Sequence, residues 1–166
     1  MFRLMKDSHC VMITGHRDLA EQDKTLIQET LIQETIAQEV TNPKVDIIYF
    51  GGAVGADSLA LETALTTRVG EKPKLVVVLP KTAKDQRSDL HNLTSKADEI
   101  IELKLSRKIY SDIWWEHDKW MVNNSQKCIA FWDGIEAGGT YNAMRYAQQQ
   151  EKEIQHIKMI GRNNNG

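Results

Sequence analysis

The chain has 166 residues, is 41% hydrophobic and 27% charged, and carries a formal net charge of −2. That length supports one domain with a real core, and that charge gives no electrostatic case for nucleic acid or an anionic membrane as the main partner. Cys10 and Cys128 are the only cysteines, which excludes a disulfide framework and a cysteine-rich zinc site.

In chain order, the first predicted strand covers residues 11–14 and ends in Gly15-His16-Arg17. Asp18 then reads as a helix N-cap, with Glu21 completing a capping box. The helix is expected to run to about Val40, where Asn42-Pro43 stops it. Its sequence nearly repeats: Leu26-Ile27-Gln28-Glu29-Thr30, then Leu31-Ile32-Gln33-Glu34-Thr35. A five-residue step does not match the helix period, so the apolar side chains drift around the cylinder. Two readings stand. One is relaxed patterning on a partly buried helix; the other is contact with the sheet on one side and with a second subunit on the other.

Residues 45–50 form a β-branched and aromatic run, a buried strand. It enters Gly51-Gly52-Ala53-Val54-Gly55-Ala56-Asp57, and residues 58–65 then carry apolar side chains at helical spacing. Glycine at such a strand-to-helix turn lets a ligand approach the backbone. The following helix aims its free N–H groups and positive dipole end at that ligand, and the natural guest is an anion such as phosphate.

Residues 74–79 are a continuous Val/Leu run suited to a strand covered on both faces. Residues 81–95 are polar and read as a loop with a short helix; 99–103 form a weaker strand, 110–125 an aromatic-rich helix, and 127–132 a fifth strand. Its exit turn runs from Asp133 to Gly139, followed by a helix over 140–150 and a last strand over 154–160. Strands alternating with helices predict an α/β fold: a Rossmann-like, three-layer, doubly wound and mainly parallel sheet. The expected order is 3-2-1-4-5, extended by the strand near Ile157. Residues 1–161 are expected to form a single domain and 162–166 a flexible tail. The segment from Met1 to Cys10 has no signal-peptide core and no apolar run is long enough to span a membrane, so the expected address is the cytoplasm.

In such a sheet the ligand lies beyond the C-terminal strand ends. Three exit turns carry suitable chemistry there. Gly15, His16 and Arg17 offer open backbone, a titratable ring and a fixed positive charge. Gly51, Gly52, Gly55 and Asp57 offer backbone N–H groups and a carboxylate. Asp133, Gly138, Gly139 and Thr140 offer a carboxylate, a second glycine turn and a hydroxyl. The expected arrangement puts one phosphate-bearing ligand between the second and third turns, with Arg17 closing from the side. There is no complete G-x-G-x-x-G fingerprint and no G-x-x-x-x-G-K-[ST], which argues against a standard NAD domain and a P-loop NTPase.

These motifs, Thr14-Gly15-His16-Arg17-Asp18, Gly51 to Ala60 and Ala130-Phe131-Trp132-Asp133-Gly134 leading to Gly138-Gly139-Thr140, resemble the SLOG superfamily. That group joins the Smf/DprA DNA-processing proteins and the Lonely Guy phosphoribohydrolases, and the chain looks most like its small YspA/YpsA-like branch. The resemblance implies a Rossmann-like fold and binding of a nucleotide or nucleotide derivative at the glycine turns. It carries Gly15, Arg17, Gly51, Gly52, Gly55, Asp57, Gly138, Gly139 and Thr140 over by position. Two departures stand out. The Lonely Guy motif P-G-G-x-G-T-x-x-E ends on a functional glutamate, where this chain has Ala143, and Ala137 replaces its proline. Where YspA-like sequences carry an Arg-Asn pair, this chain has His117-Asp118.

Among single residues, His16 and Asp57 are the candidate catalytic groups. His16 reads equally as a loop histidine and Asp57 as a helix cap. A metal at Glu116, His117 and Asp118 is not expected, since adjacent helix positions do not face one point. Trp114, Trp115 and Trp120 suit core packing more than base stacking. Arg87 and Arg107 are unplaced cations. Three functions follow in order: a nucleotide-ligand binder acting as sensor, carrier or sequestering protein; a hydrolase of an N-glycosidic or phosphoryl bond; and a DNA-processing protein. No cofactor beyond that nucleotide-like ligand is expected, and a homo-oligomer is.

Overall fold

The apolar runs become strands because parallel strands covered on both faces have no solvent side to keep polar. In the computed structural model, which describes residues 8–17, 22–106 and 109–159, six strands form one sheet. They are β1 (Cys10–Gly15), β2 (Ile47–Phe50), β3 (Lys74–Leu79), β4 (Glu99–Glu102), β5 (Lys127–Trp132) and β6 (Glu153–Lys158). Every pairing is parallel. The helices are α1 (Gln22–Thr41), α2 (Ala56–Thr67), the short α3 (His91–Thr94), α4 (Tyr110–Asn123) and α5 (Gly139–Gln149).

Alternation along the strands sends side chains to two separate cores. Val11, Ile13, Ile48, Phe50 and Val77 pack with Ile32 and Ile36 of α1 and Ala60 and Ala64 of α2. Met12, Tyr49, Val76, Val78 and Ala130 pack with Met121 and Val122 of α4 and Ala147 of α5. This is the expected three-layer, doubly wound arrangement. Cys10 and Cys128 are free, buried thiols in the second core.

The sheet order is β4-β3-β2-β1-β5-β6. The neighbouring of β1 and β2 is as expected, but the expected place of the fourth strand beside the first is wrong. β4 instead lies outside β3, and β5 takes the place next to β1. The reason is in the side chains. β4 carries Glu99 and Glu102 and exposes Ile100, a pattern for an edge with one wet side. Between β1 and its neighbours those carboxylates would be buried. β5, as Cys128-Ile129-Ala130-Phe131, is fully buried and suits the centre. The link from β3 also stays local: Asp98 accepts from the Leu75 N–H at 2.7 Å and pairs with Arg68.

α2 begins at Ala56, two residues earlier than expected, which puts Asp57 inside its first turn. The expected capping box at Asp18 and Glu21, Arg107, and the tail at 162–166 lie outside the described residues. Among the described residues no helix is long and apolar enough to cross a membrane.

Candidate functional site

The chain winds outward from β1 through β2, β3 and β4, then returns to β5 and β6 on the other side. The crevice at the C-terminal ends of β1 and β5 is therefore the topological switch point. Several backbone features build it. Gly55 caps α2 with φ 86° and ψ −127°, a conformation open to glycine. A Cβ there would collide with the carbonyl oxygens of His16 and Arg17. The Ala56 N–H donates to the His16 carbonyl at 3.0 Å, so the exits of β1 and β2 are tied together. Gly15 is a close-packing glycine: an added Cβ would meet Ala56 Cβ at 2.5 Å.

A cavity of about 80 Å³ lies where these turns meet. Its walls are Thr14, Gly15 and Arg17 from the first exit, Gly51, Ala53 and Asp57 from the second, and Gly139 and Thr140 from the third. α4 closes it with Trp114, His117, Asp118 and Met121. Asp57 is buried, with 8% of its surface exposed, and its Oδ1 has no hydrogen-bond partner. Burial pushes its pKa up to about 7; Asp118 adds to the rise, while His117, the Ala53 N–H and Arg17 oppose it. His117 is held from both sides. Its Nε2 lies 2.7 Å from the Val78 carbonyl, which can only accept, so Nε2 carries a proton. Its Nδ1 lies 3.1 Å from Asp118 Oδ1. Asp118 Oδ2 in turn sits 3.9 Å from where a Gly139 Cβ would stand, at the start of α5.

A larger cavity of about 530 Å³ adjoins it and shares Arg17, Ala53 and Trp114 as walls. The rest of its lining is Gly52 and Val54, Ile113, and the segment after β3, including Lys81, Thr82, Asp85, Gln86 and Arg87. Gln86 Nε2 donates to the Gly52 carbonyl at 2.9 Å and anchors that segment to the glycine turn. The Arg17 guanidinium carbon lies 4.5 Å from the Trp114 ring centroid, a cation–π contact at the junction of the two cavities. Arg87 is paired with Asp89 at 2.8 Å.

Of the residues read from sequence, Gly15, Arg17, Gly51, Asp57, Gly139 and Thr140 line the smaller cavity, and Gly52 lines the larger. Gly55 shapes the turn. Gly138 has φ 96°, caps α5 and lines neither cavity. His16 and Asp133 also line neither. The Asp133 N–H donates to His16 Nε2 at 3.0 Å, and Asp133 Oδ1 lies 3.2 Å from the same nitrogen. A nitrogen accepting the N–H cannot also donate to the carboxylate, and the backbone N–H fixes the first arrangement. Asp133 Oδ1 accepts from the Ile135 N–H at 3.0 Å. This pair joins the exits of β1 and β5.

His117 and Asp118 enter the site from α4. In the sequence they stand out as a departure from a family pattern and as an unlikely metal group, because adjacent helix positions usually diverge. Here both reach the cavity, since the His117 Nδ1 turns back to its neighbour's carboxylate. Trp114 is a wall of both cavities rather than only core. Among the described residues no group of three His, Cys, Asp or Glu is arranged to hold a metal ion.

The fold is Rossmann-like and is shared with several solved structures. The chain is similar to DNA processing protein A (DprA) from Streptococcus pneumoniae, with a TM-score of 0.68 and 14% identity over 90% of this chain and 50% of that one. It is similar to the molybdenum cofactor binding protein of Rippkaea orientalis, with a TM-score of 0.61 and 19% identity over 93% of this chain and 78% of that one. The molybdenum cofactor carrier protein of Chlamydomonas reinhardtii gives a TM-score of 0.59 and 18% identity over 90% of this chain and 75% of that one. At such identities the likeness is one of fold. No protein-family profile and no curated protein sequence matches the chain.

Proposed function

We propose that the protein binds a nucleotide or nucleotide-derived, phosphate-bearing ligand in the crevice beyond β1, β2 and β5, as a sensor, carrier or sequestering protein. The observation that carries this reading is the convergence of Gly15, Gly51 and Gly139-Thr140 on one cavity beside a second of about 530 Å³, a size suited to a small-molecule ligand. Two of the similar structures are molybdenum cofactor binding and carrier proteins, which is compatible with an organic ligand in this crevice. The GGAVGAD turn favours the YspA-like branch within the fold. We further propose a cytoplasmic protein that self-associates through α1, where Leu26 and Ile27 are 69% and 54% exposed.

The test is mass spectrometry of small molecules released from the purified protein. Calorimetry with AMP, ADP-ribose, NAD and cyclic nucleotides follows, on wild type and Gly139→Val. Absence of any released ligand together with no binding of these probes refutes the reading.

A second reading, hydrolysis of an N-glycosidic or phosphoryl bond, is favoured by one observation. Asp57, His117 and Asp118 are three ionisable groups in one small cavity, and Asp57, with its pKa near 7, suits proton transfer at neutral pH. Against it, the position of the Lonely Guy glutamate holds Ala143, which is fully buried in the core. Release of free base or inorganic phosphate from a bound nucleotide would decide for hydrolysis.

A further inference from the structure

The two cavities have opposite chemistry. In the smaller one Asp118 Oδ2 lies 3.9 Å from where a Gly139 Cβ would stand, at the start of α5. The first turn of α2 contains a second carboxylate, that of Asp57. Neither helix start takes a side-chain capping hydrogen bond, but each has a carboxylate in or beside its first turn. A phosphate group there would add negative charge beside both carboxylates. A fully ionised phosphate would also bring only acceptor oxygens to Asp57 Oδ1, which lacks a donor when the carboxyl is ionised. That orphaned atom calls for an O–H or N–H. At about 80 Å³ the cavity has room for a few water-sized groups, not for a whole nucleoside.

The larger cavity has the complementary features. Lys81, Arg87 and Asp85 line it, with Arg87 paired to Asp89 at 2.8 Å, and Arg17 stands at the junction. Trp114 and Ile113 supply apolar wall.

We propose that the ligand binds across both cavities with a fixed polarity. Its hydroxyl- or amino-bearing end donates hydrogen bonds to Asp57 and Asp118, and its anionic end lies in the larger cavity with Lys81 and Arg87. Arg17 holds the middle. This inference rests on the nucleotide-binding reading and specifies it: the donor end suits a sugar diol, and the phosphate is not between the glycine turns.

The experiment is a ¹H–¹⁵N NMR titration with inorganic phosphate and with ribose 5-phosphate, each at millimolar concentration. Inorganic phosphate is expected to shift the amides of Lys81, Thr82 and Arg87 and to leave Gly51, Gly139 and Thr140 in place. Ribose 5-phosphate is expected to shift both sets. Asp57→Asn and, independently, Asp118→Asn should weaken ribose 5-phosphate by about tenfold or more and leave inorganic phosphate unchanged. The double variant Lys81→Ala, Arg87→Ala should weaken both probes. Phosphate that shifts Gly139 and Thr140 instead, and binds more tightly to Asp57→Asn, overturns the polarity while leaving the nucleotide-binding reading intact. Silence from both probes at both sets of amides removes the reading and the polarity together.

Discussion

A Cβ added to Gly51 would stand 2.7 Å from Asp57 Oδ2 and 3.1 Å from His117 Cε1. The bare face of this glycine is the surface against which the buried carboxylate and the ring are packed. Gly51→Ala should therefore destabilise the protein by about 1–3 kcal/mol through overpacking. In an Asp57→Ala background the cost should shrink, because the nearer obstacle is gone. Urea unfolding of the four proteins gives the coupling, and simple additivity would contradict the contact.

The raised pKa of Asp57 predicts a pH dependence of stability. Burial is its main cause, and the value reaches about 7 against a reference of 3.8. Between those values the folded protein holds a proton that the unfolded chain has lost. This group's contribution is therefore full below about pH 4, falls as pH rises toward 7, and is flat above. The loss is on the order of 4 kcal/mol. Asp57→Asn should remove it, so the variant's advantage in urea midpoint should be larger at pH 8 than at pH 5. An equal difference at both pH values would show that Asp57 ionises normally.

Gly52 and Gly139 separate fold from site. Gly52 has φ 75°, and its Cβ would run into Leu79, so Gly52→Ala should cost about 1–3 kcal/mol of stability. Gly139 meets only Asp118 Oδ2, at 3.9 Å, so Gly139→Val should keep the fold and lose ligand. Thermal unfolding measured beside ligand binding checks both. A Gly139→Val protein that binds the released ligand like wild type would place the site elsewhere.

Arg17 lies over Trp114 at the junction of the cavities. Arg17→Ala should change tryptophan emission in the free protein. It should also weaken an anionic ligand by about 1.5–3 kcal/mol, as expected for a hydrogen bond to a charged group. Unchanged affinity would take Arg17 out of the ligand site.

Leu26 and Ile27 expose apolar surface on α1. Light scattering at micromolar concentration should give a dimer or larger, and Leu26→Glu should shift it toward monomer. A wild-type monomer across the concentration range would refute self-association.

The sequence by itself determined the elements and the turns. Short Val, Ile and Leu runs bounded by turn residues read as buried strands, and glycines between such runs and helical periodicity mark exits. Both follow from local physics, so β1, β2, β3 and β5 and the turns at Gly15, Gly51 and Gly139 were legible. The place of β4 is misread from sequence as beside β1, although Glu99 and Glu102 suit an edge, because strand order depends on which long-range pairings bury the most surface. Only the tertiary structure decided the company of Asp57. His117 and Asp118 lie some sixty residues away in sequence, on a helix whose packing against β3 brings them beside the Gly51 turn. The burial that raises the Asp57 pKa, the carboxylate at the start of α5 and the joining of His16 to Asp133 arise from that packing. They are properties of the assembled crevice, and no single stretch of the chain encodes them.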